Sequence, residues 1–141
     1  MAQQSVDNRR HPSLVGFIAL ILAVHLLVAS LAFGVVALVG ALPLRAAFIV
    51  GAILFASGGP VTALVTGSLA RGCQWDQGLI STQVACSRAG YIYGAFAGAI
   101  IGSHFGKLPG GIAGGLALFL LGRLAGNRLG GILWARLNAP K

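Results

Sequence analysis

Residues 90–130 read GYIYGAFAGAIIGSHFGKLPGGIAGGLALFLLGRLAGNRLG, and the reading of this stretch decides the fold. Glycine recurs at every fourth position. The first series is Gly90, Gly94, Gly98, Gly102 and Gly106. The second is Gly110, Gly114, Gly122, Gly126 and Gly130, broken once by Leu118, with Gly111 and Gly115 as an offset pair. On a helix of about 3.6 residues per turn, steps of four wind only slowly. Each series is therefore a stripe without side chains. Glycine costs about 1 kcal/mol of helix propensity relative to alanine in water, so such a stripe is a poor choice unless it meets another surface. In lipid that surface matters more. Acyl tails are as apolar as leucine, and helices associate through close backbone approach and weak Cα–H···O contacts. The spacing predicts two membrane helices packed along their glycine ladders in a right-handed crossing. A ladder that also meets a partner chain or a flat cofactor is the lesser reading.

Composition agrees with a membrane setting. The chain has 141 residues, of which 57% are hydrophobic and 9% charged, with a mean hydropathy of +0.88. Soluble domains carry about 25% charged residues. So few charges cannot wet a globule, and so apolar a chain is not disordered. Two cysteines do not make a disulfide scaffold. An all-α, polytopic membrane protein remains.

Four apolar runs predict four transmembrane helices, at about 13–42, 46–70, 89–106 and 108–134. They form one domain over 13–141, after a polar, basic tail at 1–12 and with a polar loop at 71–88. Arg9 and Arg10 resemble the start of a signal peptide. The apolar stretch behind them is about twice a 7–15-residue signal core, so an uncleaved anchor helix is expected. With the N-terminus inside, the inner side carries Arg9, Arg10, Arg71, Arg88, Arg136 and Lys141, and the outer side Arg45 and Lys107. The excess places both termini in the cytoplasm. A bacterial inner membrane is the expected location, with an organelle membrane as the other option. Gly58, Gly59 and Pro60 should kink the second helix, since Pro60 removes a backbone donor. A re-entrant hairpin broken there fits the cation count less well.

Few residues carry chemistry. His25 and His104 fall at similar depths in the first and third predicted helices, which makes them candidate ligands for a haem or a chlorophyll-type pigment; hydrogen bonding to a neighbouring helix is the plainer role. Arg123 and Arg128 lie in the last predicted helix, and no carboxylate lies in any predicted span to pair with them. They should snorkel to lipid phosphate or meet a partner subunit. Trp134 reads as an interface anchor, and Trp75 as a docking or interface residue in the loop. Cys73 and Cys86 have neither redox nor metal spacing and are expected to be reduced thiols on a cytoplasmic loop.

No predicted span contains Asp or Glu, which argues against proton- or sodium-coupled transport. There is no P-loop, GxSxG or HExxH, and no nucleophile with a base beside it. The net charge of +8 is scattered around helix ends, which suits anionic lipids and not nucleic acid. The expectation is a non-catalytic accessory, structural or assembly subunit of a larger membrane complex of respiratory or photosynthetic type. It would pack on other integral membrane subunits and need no cofactor. The alternatives are a small homo-oligomeric channel or transporter, and a haem- or pigment-binding subunit.

Overall fold

The computed structural model describes residues 14–70 and 75–137, with side chains for 15–65 and 82–136. It is all-helical: α1 spans Leu14–Leu38, α2 Leu44–Ala70 and α3 Trp75–Leu137. Each is long and apolar enough to cross a membrane, through Val15–Leu38, Leu44–Val65 and Thr82–Arg136. That is consistent with an integral membrane protein.

Three helices stand where four were expected, because the residues predicted for the third and fourth belong to one long element. α3 is not straight. Its 63 residues would extend about 95 Å as a rod, but Gly106 (φ −129°, ψ 18°) and Lys107 (φ 53°, ψ −144°) leave the helical region. Pro109 follows, where a missing N–H falls at a helical restart and is lost cheaply.

A second difference concerns 71–88, expected as a loop. The chain is helical from Trp75 to the break at Gly106. Polarity suggested the loop, but spacing prevails: Thr82, Ala85, Ala89, Tyr93 and Ala97 are all buried, at steps of three and four that form one helical face, with Cys86 buried beside Ala85. α1 also ends at Leu38, short of the predicted 42. Gly40, with φ +72°, turns the chain. Gly40 N–H donates to the Ala37 carbonyl at 3.0 Å and Ala41 N–H to that of Val36 at 3.1 Å. This is a Schellman closure, and Pro43 then forbids continuation. α2 runs unbroken through Pro60, so the re-entrant alternative does not hold.

The core lies where α1 meets the other two helices. Ala29, Phe33 and Val36 of α1 pack with Ala47 of α2 and with Ala89, Tyr93 and Ala97 of α3. A second cluster joins Phe17 and Ile21 of α1, Ala63 of α2, and Ala85 and Trp134 of α3. Residues Ala41 and His104 line one shallow groove, so the α1–α2 turn and the break in α3 share one end of the molecule. Phe17, near the start of α1, meets Trp134, near the end of α3, at the other end.

Candidate functional site: the glycine seam and its polar flank

The two arms of α3 lie against each other with very little between them. A Cβ placed on Gly90 would strike the Gly122 carbonyl, one on Gly98 the Gly114 carbonyl, and one on Gly102 the Gly110 carbonyl. The reverse contacts hold for Gly110, Gly114 and Gly122. Each step of four down one arm is matched by four up the other. Leu118, the one exception in the second ladder, faces Gly94, where a Cβ would lie 2.6 Å from the Leu118 carbonyl oxygen. Gly126 sits against Cys86 and Ser87, and Gly130 is held 2.6 Å from the Cα of Gln83 by the same measure. Gly106 is outside the series, with open space around it at the break. The offset pair also faces inward: Gly111 meets Ser103, and Gly115 meets Ala95 and Ala99.

A polar flank runs beside this seam. Tyr91 and Phe119 touch across it, ring centroids 5.0 Å apart. One turn further, Ser87 Oγ donates to the Arg123 carbonyl at 3.2 Å. A turn beyond that, Gln83 Nε2 lies 3.0 Å from where a Gly131 Cβ would be. The Arg123 and Arg128 side chains are exposed. Sequence reading missed Gln83, Ser87 and Tyr91. They follow one another at steps of four, a period that marks one side of a helix once 75–88 is known to be helical.

His25 is fully buried, and so is Tyr93, at 0% and 1% exposure. Nδ1 of His25 and the Tyr93 hydroxyl are 3.1 Å apart, and the rings meet edge-on with centroids 5.7 Å apart. The Ala85 backbone lies within reach of the same imidazole. Tyr93, also missed, is thus the hydrogen-bonding neighbour that the plainer reading of His25 requires. His104 is exposed, edge-on to Phe105 with centroids 4.9 Å apart. It sits eleven positions beyond Tyr93, or about 16 Å of helical rise. The two imidazoles do not face one gap. Their similar depths depended on a helix starting at 89, and α3 starts well before that. Among the described residues no group of three or more His, Cys, Asp or Glu could hold a metal.

Trp134 points inward, 7% exposed and edge-on to Phe17 at 6.4 Å, instead of anchoring at the outer surface. Cys86 is a free, buried thiol. Cys73 and the Trp75 side chain lie outside the described residues. In α2, Ser57 Oγ donates to the Leu54 carbonyl at 3.1 Å, a Gly58 Cβ would meet open space, and a Gly59 Cβ would touch Phe55 at 3.0 Å.

No family model matches the chain, and neither the curated proteins nor the solved structures contain a match.

Proposed function

We propose that this chain is a non-catalytic, four-span integral membrane protein that serves as an accessory or assembly subunit of a larger membrane complex. In this reading α3 supplies two spans, folded back at Gly106–Lys107 and locked through the glycine ladders. The observation that carries it is the seam itself: Gly90, Gly98 and Gly102 approach carbonyls of the opposite arm too closely for any Cβ. Such a hairpin forms a rigid wedge without help from water or charge.

What lies outside the seam supports a lateral partner. The second arm is fastened mainly along one side. Its outer side presents Ile112, Leu116, Leu120, Leu121, Leu124 and Ile132, all more than half exposed. In a membrane that face meets either acyl chains or another span. α1 and α2 add Leu27, Leu31, Ile53 and Leu64.

Purification in mild detergent, followed by identification of co-purifying proteins and native sizing, tests the proposal. We expect stoichiometric recovery of at least one other membrane subunit. A lone homo-oligomer that conducts ions in vesicles would overturn it in favour of a channel. A visible absorption band in the purified chain would overturn it in favour of a pigment- or haem-binding role.

A further inference from the structure

We propose that the flank of the α3 seam is a binding site for the phosphate of an anionic phospholipid, with Arg123 as its charged centre. The inference rests on the membrane-spanning part of the reading above and does not depend on any protein partner.

Phe119, Arg123 and Asn127 succeed one another at one-turn steps along the second arm, and Gln83, Ser87 and Tyr91 do so along the first. The Tyr91–Phe119 ring contact, the Ser87–Arg123 hydrogen bond and the approach of Gln83 to Gly131 fix the two rows beside each other. The Arg123 backbone therefore lies beside Ser87, one turn from Tyr91 and Phe119 and one turn from Asn127, with Gln83 in the next turn of the first arm. Gln83, Ser87 and Tyr91 are half-buried, while Arg123 and Asn127 are open on their outer side. A guanidinium fork binds phosphate oxygens in pairs, and the amides of Gln83 and Asn127 supply neutral donors nearby, while the Ser87 hydroxyl is committed to the Arg123 carbonyl.

Depth selects the ligand. Lys107 and Arg45 mark the end of the molecule that holds both turns. Arg123 lies sixteen residues past Lys107, about 24 Å of rise, in a bilayer whose hydrocarbon is about 30 Å thick. Its side chain therefore snorkels into the opposite headgroup layer. Among the residues whose side chains are described there is no carboxylate to neutralise it. The chain's only acidic residues are Asp7, outside the described residues, and Asp76, whose backbone is seven positions and about 10 Å beyond Gln83.

Native mass spectrometry of the full chain, released from vesicles of mixed phosphatidylglycerol and phosphatidylcholine, reads the site directly. We expect retention of one phosphatidylglycerol per chain, in preference to phosphatidylcholine. Arg123→Gln should lower that occupancy about tenfold, Arg123→Lys should restore part of it, and Asn127→Leu should lower it to a lesser extent. Arg45→Gln, at the opposite end, should leave it unchanged. Equal retention by Arg123→Gln, indifference to the headgroup, or an equal loss in Arg45→Gln would each overturn the site. Displacement of the lipid by millimolar inorganic phosphate would overturn the assignment to a lipid, and an acidic segment of another protein bound at Arg123 would do the same. If Arg123→Gln does not fold, by circular dichroism, the Asn127→Leu and Arg123→Lys variants decide alone.

Discussion

Lys107 adopts φ 53° and ψ −144°, a conformation that glycine tolerates freely and a residue with a Cβ adopts only at a cost. Holding a non-glycine residue there costs about 1–3 kcal/mol. Because Lys107 is exposed, its side chain contributes little packing to offset that cost. We expect Lys107→Gly to stabilise the protein by about 1 kcal/mol, after the extra unfolded-state freedom of glycine is subtracted, and Lys107→Val to destabilise it by a similar amount. Thermal melts in detergent would show the difference. His25 and Tyr93 make the complementary case, an inward polar pair. Interhelical hydrogen bonds in membranes contribute about 0.6 kcal/mol on average and up to about 1.7. A double-mutant cycle of His25→Leu and Tyr93→Phe should return a coupling in that range. Additive effects would mean that the 3.1 Å contact is not a bond. His25 was legible in the sequence as a polar group inside a span, but Tyr93 was not, since nothing in a tyrosine's position shows which helix it faces. The unfavourable dihedrals of Lys107 were hidden as well. GKLPG reads as a turn, but a lysine gives no sign of a positive φ, and Gly106, the residue suited to it, holds φ −129°.

Helix packing can be tested by adding single methyl groups. Gly98→Ala would put a Cβ onto the Gly114 carbonyl and within 2.9 Å of the Leu118 Cβ, with backbone on one side that cannot move away. We expect a loss of about 2 kcal/mol or more. Gly34→Ala is the control, because nothing lies within 4 Å of its Cβ position. Removing a helical glycine there should leave stability unchanged or raise it by up to about 1 kcal/mol. Equal melts for the two variants would mean that the arms do not touch. The period of the ladders is visible in the sequence because steps of four match a helix. The helix over 75–88 was not readable by composition: its polar residues resemble a loop, and only the spacing of Thr82, Ala85, Cys86 and Ala89 reveals a buried face. The early end of α1 was hidden for the opposite reason. Val39, Ala41 and Leu42 continue the apolar run past a closure that hydrogen bonds make and hydropathy does not register.

Both turns occupy one end of the bundle, with Ala41 near His104, while Phe17 and Trp134 meet at the other. If the bundle crosses a bilayer once along its length, the two chain ends must emerge on the same side. Charge then selects the side. The turn end carries Arg45 and Lys107, whereas Arg88, Arg128 and Arg136 fall toward the other end, as do Arg9 and Arg10 in sequence before α1. Cations beside spans are retained in the cytoplasm, so the end holding the termini should face inward. Single cysteines in a Cys73→Ala, Cys86→Ala background test this with a membrane-impermeant maleimide on intact bacterial cells. Lys107→Cys should label from outside, and Ala139→Cys only after permeabilisation. Labelling of both from outside would put the turn end and the chain end on one side of the membrane and remove the hairpin. The reverse pattern would keep the hairpin but invert the molecule. Arg123 would then lie in the outer headgroup layer, and the lipid it selects would have to be one present in that leaflet.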